Sequence, residues 1–505
     1  MRSHPALLFF LAFAPSAHAF WRLPCQGHGG ALVYQRADPI TNRGAASGHV
    51  HTISGGSNFN LDMTFEDARA SKCSSCMVKQ DMSNYWTPAL YFAHANGSFT
   101  LVEQVGLLVY YLPRKNDKDT GPVKAFPEGF RMLAGNPYQR SFDGSDMANA
   151  IGVNCLGGKR EPTRLPDFPP NNCPNGMRLE VMFPSCWDGK NVDSANHQSH
   201  VAYPKGGESG PCPDGFPVRI ETLFYEIMWS VDPWKDKWDD AKNKSQPFVL
   251  STGDPTGYSL HGDFLNGWDI EVLQKAIDEC TAESGVIEEC KIFELYDYKD
   301  AKNMCFQSTA VDEVVTGTLP ALPGCNPISA GPDDVTVCAE KNPPKLHDKT
   351  TVYGGLAGGN ATISVAKGTP QPSSPDASSG GTSSAENTSS SGTSTSKDSA
   401  EEAATGGSES ASGASTGSTT GNAGGESTTS LAASSLQEVP TGVWWGAGGI
   451  CLAGLLLVVY LLARRSGAAA QAQAADSEKQ ALRSSSDESG ISGDDSDDDG
   501  RSRRG

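Results

Sequence analysis

The chain has 505 residues, and its 59 acidic side chains against 40 Lys and Arg give a formal net charge of −19. So acidic a chain lacks the basic face that neutralises phosphates, which argues against a nucleic-acid-binding protein. A chain of this length is expected to contain several regions of different character.

Residues 1–19 have the pattern of a secretory signal peptide. Arg2 precedes an apolar run over residues 6–14, and Ala17-His18-Ala19 forms an A-x-A cleavage site. The mature chain is therefore predicted to begin at Phe20. Cleavage after Ala17 is the alternative, and it would leave a terminal His18 whose amine and imidazole can together chelate copper.

Residues 20–350 are predicted to form a folded ectodomain of mainly β structure. Short aromatic and β-branched runs, separated by Gly, Pro and Asn clusters, indicate a disulfide-stapled, jelly-roll-like β-sandwich with long loops and few helices. The runs are residues 30–34, 97–102, 106–112, 177–183 and 247–251. A helix is predicted to begin near Asp269, and residues 215–232 suit either a helix or a strand. The spacing of Trp229, Trp234 and Trp238 favours core packing over a sugar-binding platform.

The cysteines fit an oxidising compartment. Twelve lie between residues 20 and 350, and an even number in a secreted domain predicts up to six disulfides, whose pairing the sequence does not define. The pair Cys73-Ser-Ser-Cys76 also fits a redox or zinc motif, but structural bridging is favoured in a secreted chain.

Two polar loops are predicted to be the walls of one site. The central loop, residues 184–204, concentrates aspartate, histidine, amide and aromatic side chains around turn-forming residues. The echo loop, residues 253–269, repeats that composition. Loops of this kind on a stapled scaffold are where binding and chemistry are found.

The C-terminal part reads as a stalk, a membrane span and a tail. Residues 367–441 are rich in Ser, Thr and Gly and predict a disordered, O-glycosylated stalk. Residues 443–463 are long and apolar enough to cross a bilayer, and Arg464-Arg465 predict a type I orientation at the plasma membrane. A GPI signal is the alternative, but the polar, acidic tail at 464–505 disfavours it. Four N-glycosylation sequons begin at Asn96, Asn243, Asn360 and Asn387.

Several unusual blocks resemble one family, the secreted fungal and bacterial domain of unknown function DUF1996. They include Ser47-Gly-His-Val-His51, Cys73-x-x-Cys76-x-Val78, Asp81-x-Ser-Asn-Tyr-Trp86 and Phe126-Pro-x-Gly-Phe-Arg-Met132, together with both polar loops. The resemblance covers about 250 residues. It implies a fungal, wall-facing protein and brings no established activity.

Histidines and carboxylates supply the candidate chemistry. His49 and His51 alternate, so on a strand both imidazoles face one side, and with His197 they are the predicted ligands of a divalent metal. The predicted catalytic residues are Asp188, His200, His261, Asp263 and Asp269. The alternative is that these side chains are hydrogen-bonding struts or ordinary turn formers.

Aromatic and amide side chains in the same blocks suit a carbohydrate, because rings stack on sugar faces while amides meet hydroxyls. The predicted ligand-binding residues are Trp86, Trp187, Asn191, Tyr203, Tyr258, Asn266 and Trp268. The leading hypothesis is a membrane-tethered ectodomain that binds a cell-wall polysaccharide and cleaves or modifies it. The alternative is a non-catalytic wall-binding or sensor protein. The sequence has no Gly-x-Ser-x-Gly elbow, P-loop or dinucleotide-binding fingerprint in a plausible strand-turn-helix setting. This argues against serine hydrolases, kinases and nicotinamide enzymes.

Overall fold

The computed structural model describes residues 19–25, 31–158, 164–298, 303–331, 335, 340, 342–355 and 360–367. The predicted signal peptide up to residue 18, the stalk, the membrane span, the tail and Asn387 lie outside these residues. Within them, no helix has the length and apolar character needed to cross a membrane.

The described chain is mainly β, as predicted, with few helices. Its strands are β1 Trp21–Cys25, β2 Val33–Ala37, β3 Ala46–Gly55, β4 Asn84–Pro88, β5 Leu90–Ala93, β6 Phe99–Leu101, β7 Gln104–Leu112, β8 Arg131–Gly135, β9 Ile151–Cys155, β10 Arg164–Leu165, β11 Met177–Met182, β12 Cys186–Trp187, β13 Val201–Ala202, β14 Val218–Arg219, β15 Thr222–Trp229, β16 Phe248–Leu250, β17 His261–Leu265, β18 Phe306–Gln307, β19 Val311–Asp312, β20 Thr318–Leu319, β21 Lys345–Leu346, β22 Lys349–Tyr353 and β23 Ala361–Ser364. The α-helices are α1 Phe65–Arg69, α2 Asp146–Asn149 and α3 Ile270–Glu279, and 3-10 helices span Asp232–Asp240 and Ile287–Glu289.

Two large antiparallel sheets form the centre of the fold. One has six strands in the order β1-β7-β15-β11-β9-β10, and the other has five in the order β2-β3-β4-β17-β8. An eight-stranded jelly roll has four strands in each sheet, so these sheets are larger. Smaller sheets, β16-β5-β6-β20, β13-β12-β14, β18-β22-β23 and β19-β21, extend the edges.

The main hydrophobic core lies between the two large sheets. The rings of Tyr85 from the five-stranded sheet and Tyr225 from the six-stranded sheet are 5.8 Å apart. Gly262 leaves room for the ring of Phe183, because a Cβ there would approach it to 2.9 Å. This contact defines an inner face of the five-stranded sheet, and the opposite face is called the outer face below.

The outer face is covered by the C-terminal cover, which we define as the described residues from 303 to 366. A second hydrophobic cluster there joins Trp86, Leu133 and Leu265 of the sheet to Val311 and Val352 of the cover. The disulfide Cys73–Cys305 ties the two parts together covalently.

Five disulfides pair described cysteines and confirm the predicted framework. They are Cys25–Cys76, Cys73–Cys305, Cys155–Cys173, Cys186–Cys212 and Cys280–Cys290. Cys73 and Cys76 bond to different partners, so structural bridging holds for both. The redox or zinc reading of that pair is therefore wrong.

Local predictions are also resolved. Residues 215–232 form strands β14 and β15 rather than a helix. Every second side chain of β15, those of Leu223, Tyr225 and Ile227, points into the core, which is the period of a strand. The predicted helix at Asp269 is α3. All five predicted β runs overlap a strand.

The tryptophan series packs as predicted. Trp229 is fully buried. Trp234 stacks on Phe92 with ring centroids 4.5 Å apart, and Trp238 meets Phe248 edge-on.

Candidate metal centre

Three histidine side chains meet on the outer face of the five-stranded sheet. They are His49 and His51 of β3 and His261 of β17, and one ligand nitrogen of each lies within 4.8 Å of the others. The Nε2 atoms of His49 and His261 are 3.1 Å apart. Within the described ranges, this is the one group of three or more His, Cys, Asp or Glu side chains so closely spaced.

Strand geometry explains the convergence. Side chains two residues apart share a face of a strand, so His49 and His51 point the same way, as predicted, and their rings are 4.3 Å apart. His51 pairs with Pro88 of β4, and β4 also pairs with β17 through Trp86 and Asp263. His261 precedes Asp263 by two residues and therefore faces the same side.

Backbone carbonyls fix two of the imidazoles. Nδ1 of His51 is 3.2 Å from the Ala37 carbonyl oxygen, and Nδ1 of His261 is 2.8 Å from that of Ser259. A carbonyl only accepts a hydrogen bond, so Nδ1 carries the proton and Nε2 presents its lone pair. This is the outer-shell arrangement that orients histidine ligands of metals. Nε2 of His51 is buried and has no hydrogen-bond partner.

The local environment keeps the imidazoles neutral. Burial is the largest cause: it lowers the pKa of His261 from 6.5 to about 4 and also lowers the pKa of His51. Burial and the neighbouring imidazoles lower the pKa of His49 well below its usual range. Neutral imidazole is the form that binds a metal ion.

The spacing also fits a shared ion. Two nitrogens bound to one tetrahedral zinc ion at 2.0–2.1 Å lie about 3.3 Å apart. The 3.1 Å between Nε2 of His49 and Nε2 of His261 is close to this value. Because His261 presents a lone pair at Nε2, either a proton or a cation must lie between the two atoms.

Asp263 places a carboxyl group on the same face as the imidazoles. Its side chain is 1% exposed, and neither carboxylate oxygen has a hydrogen-bond partner. Burial, and secondarily the charge of Asp38, raises the pKa of Asp263 well above its usual range. Nε1 of Trp86, the residue paired with Asp263, also lacks a partner. Buried polar groups are normally hydrogen-bonded, so the Asp263 oxygens and Nε1 of Trp86 are still able to bond to a bound group.

The centre reaches solvent at one edge. His49 is half-buried and Gly48 before it is exposed. The Gly48 carbonyl accepts a hydrogen bond from the Asn326 side chain, and a Cβ on Gly324 would lie 2.0 Å from the same oxygen. Residues 324–326 of the C-terminal cover therefore lie at this solvent edge, beside His49.

Residues 38–268 match the family model of a domain of unknown function, DUF1996. This chain carries a DUF1996 domain. The three histidines and Asp263 all lie within it. Searches of the curated proteins and of the solved structures return no match.

The two polar loops of the DUF1996 domain meet along β8. The central loop lies against this strand, because the amide of Arg131 donates to the Val192 carbonyl and the side chain of Gln198 donates to the Gly135 carbonyl. Gly135 in turn pairs with His261, which lies within the echo loop. The loops are thus neighbours, as predicted, but their nominated side chains do not form one cluster.

The nominated side chains of the central loop hold the loop itself. Both ring nitrogens of His200 are bonded, Nε2 to the Arg131 carbonyl at 3.0 Å and Nδ1 to the Ser194 hydroxyl at 3.0 Å. Asp188 accepts from the amides of Lys190 and Asn191, as an ordinary turn former does. These contacts assign both residues to structure rather than catalysis.

His197 is not part of the metal centre. Its Nδ1 lies 2.7 Å from the Asp193 carboxylate, and its backbone φ is +57°. The histidine that joins His49 and His51 is His261, which the sequence had suggested as a catalytic residue. The usable signal was the alternation His261-x-Asp263, which repeats the spacing of His49-x-His51.

The echo loop is also partly structural. Asp269 is the N-cap of α3, where its side chain accepts from the amide of Val272. Asn266 is buried and donates to the Pro127 carbonyl at 2.9 Å. Both residues therefore have a structural role in this loop.

The predicted sugar-stacking residues divide into two groups. Trp86 and Trp268 are 1% and 0% exposed, so their rings are core residues that cannot stack on a sugar. Trp187, Tyr203 and Tyr258 are half-buried and Asn191 is exposed. Trp187 donates to the Asn191 carbonyl and Tyr203 to the Met182 carbonyl, so both polar atoms are engaged within the protein.

Proposed function

We propose that His49, His51 and His261 bind a divalent first-row transition metal, with zinc and copper the best fits to an all-imidazole set. The convergence of three neutral imidazoles within 4.8 Å carries this proposal. The unpartnered Nε2 of His51 supports it, since a metal ion would satisfy that lone pair.

A metal held by three protein ligands keeps a position for water or substrate, and it would supply Lewis-acid activation there. Asp263 lies on the same face of the sheet, two residues along β17 from His261, and its carboxyl is not one of the three clustered ligand groups. Burial and the charge of Asp38 keep this carboxyl protonated, and a cation bound nearby would favour the carboxylate instead. The half-buried His49 gives the centre its solvent edge.

We further propose that the substrate is a polysaccharide of the cell wall. The acidic chain is unsuited to nucleic acid. Sequon residues Asn96, Asn243 and Asn360 are exposed, which suits a glycosylated surface protein. In this proposal a signal peptide directs the domain across the membrane and is then cleaved. The Ser/Thr stalk and the span at 443–463 hold the domain outside the plasma membrane in type I orientation.

A non-catalytic wall-binding or sensor protein is the second candidate. A glycosidase of the common type needs two carboxyl groups flanking the scissile bond. Of the three carboxylates nominated for that role, Asp188 forms a turn, Asp269 caps a helix and Asp263 is buried. This placement favours either metal-dependent chemistry or binding alone.

Metal binding is tested by calorimetry on the full-length protein. After removal of metals with a chelator, the protein is titrated with Zn²⁺, Cu²⁺ and Mn²⁺, and we expect one equivalent of zinc or copper to bind. His261→Ala and His49→Ala should abolish this binding. His347→Ala removes an exposed histidine outside the centre and should leave it unchanged. Undiminished binding by the His261→Ala protein would refute the metal centre.

The substrate is tested by incubating the same protein with wall glucans, chitin, mannans and uronans. New oligosaccharide ends that disappear with the chelator and return with metal indicate the enzyme. Retention without products indicates the binding protein. If the protein neither releases products from any of these polymers nor is retained by one, the polysaccharide proposal is refuted. The metal measurement would still stand.

A further inference from the structure

The segment that follows β8 leaves the sheet directly beside the metal centre. Gly135, the last residue of β8, pairs with His261. Its φ is +88°, and a Cβ there would lie 2.4 Å from the Leu260 carbonyl oxygen, so glycine is required. Residues 136–142, which we call the rim loop, therefore start next to the centre in a fixed direction.

Arg140 anchors the rim loop. Its guanidinium is buried and donates to the carbonyls of Ser329 and Thr252 at 3.0 Å each, and to Pro137 and Gln139 within the loop at 3.0 and 2.9 Å. The hydroxyl of Thr252 is 2.7 Å from that of Ser259, whose carbonyl accepts from Nδ1 of His261, so Arg140 is linked to the metal centre through two residues. The loop is thus held rigidly at the edge of the metal centre.

Two large rings of the rim loop face solvent. Tyr138 is 57% exposed and Phe142 is 46% exposed. Each lies two residues from Arg140, which limits its Cα to about 7 Å from that of the anchor. Single exposed aromatic residues are ordinary, but two of them on a loop that Arg140 ties to the rest of the protein by two hydrogen bonds are pre-organised for contact.

The surroundings disfavour an anionic ligand. Asp143 and Asp146, just beyond Phe142, are exposed and would repel an anionic polymer. The amide side chains of Asn136 and Gln139 belong to the loop itself, and Gln198 bonds to Gly135 at its start. The two exposed rings match the apolar faces of neutral sugars, while the amide groups of Asn136, Gln139 and Gln198 form hydrogen bonds that hold the loop.

We propose that Tyr138 and Phe142 form a stacking platform that positions a neutral polysaccharide chain beside the metal centre. This rests on the proposed function and adds where the polymer lies and which polymers are accepted. Neutral glucan, chitin or mannan should be retained, and polyuronate should not. Tyr138 and Phe142 are positioning residues, since the chemistry belongs to the metal centre.

The test uses full-length wild-type protein and the Tyr138→Ala/Phe142→Ala double variant. Retention is measured by affinity electrophoresis in gels containing soluble neutral glucan, mannan or polyuronate, and on insoluble chitin. We expect neutral-glycan binding to weaken about tenfold or more in the double variant. Its zinc or copper stoichiometry should stay at the wild-type value. The matched control is Tyr353→Ala, which removes a 43% exposed ring stacked on Phe306 in another sheet.

The outcomes separate the platform from the function. If the double variant binds and converts glycan like the wild type, the platform is refuted while the metal centre and its substrate stand. Preferential retention on polyuronate, or an equal loss in the Tyr353→Ala protein, also refutes it. If wild-type protein is retained by none of the polymers, the platform and the polysaccharide proposal fail together, and the metal titration decides the centre independently.

Discussion

The protonation of His261 should make the stability of the metal-free protein depend on pH. In the unfolded chain its pKa is the ordinary 6.5, whereas burial lowers it to about 4 in the folded protein. Between these values the unfolded state binds more protons, so the free energy of unfolding falls as the pH decreases. The contribution is fully present above pH 6.5 and is lost as the pH approaches 4. The difference corresponds to about 3 kcal/mol.

The assay is urea unfolding followed by tryptophan fluorescence, in the presence of a chelator, at several values from about pH 7 to pH 4. His261→Gln keeps a neutral polar side chain and should flatten the decline by about 3 kcal/mol relative to the wild type. Asp263 changes stability with the opposite sign, because its raised pKa favours the protonated folded state, but it is present in both proteins. His347→Gln should retain the wild-type slope. Parallel curves for the wild type and His261→Gln would refute the argument.

Three further substitutions test the structural assignments. Cys186→Ser opens the disulfide to Cys212, which closes a 26-residue separation, and should cost about 3–4 kcal/mol and reduce secretion; normal yield and melting temperature would contradict this. Trp268→Ala should lower the free energy of unfolding by about 3–5 kcal/mol, because the ring is fully buried and donates to Tyr111; a surface-like loss below 1 kcal/mol would oppose the core assignment. Asp269→Ala should cost about 1 kcal/mol through the lost N-cap, measured by thermal unfolding, while Asp269→Asn should be nearly neutral.

Local patterns predicted several parts of the site and fold. The alternation of His49 and His51 set both rings on one face, and the start of α3 at Asp269 followed from helical spacing. Cysteine number and compartment predicted a disulfide framework, although the sequence left the pairing open. These features depend on neighbours in sequence, or on counts, and are readable without a structure.

Other parts depend on contacts between distant segments. His261 joins the metal centre because β17 pairs with β4, about 180 residues earlier in the chain. Trp86 and Trp268 have the composition of a sugar site, but their neighbours in space bury them. In the sequence, Asp188 and Asp269 cannot be distinguished from Asp263. Their hydrogen bonds show that Asp188 stabilises a turn and Asp269 caps a helix, whereas the Asp263 oxygens have no such partner.

The C-terminal cover determines the shortest piece of the chain that keeps the fold intact when a gene is divided or fused. A protein ending at residue 268, where the family match ends, would contain seven cysteines after residue 19, at positions 25, 73, 76, 155, 173, 186 and 212. Cys73 would then be a thiol without its partner Cys305, free to form mixed disulfides. The same cut would expose Trp86 and leave His49 without residues 324–326 beside it. The smallest unit that keeps the Cys73–Cys305 disulfide and the covered outer face of the sheet therefore extends about a hundred residues past the matched domain, to the end of β23.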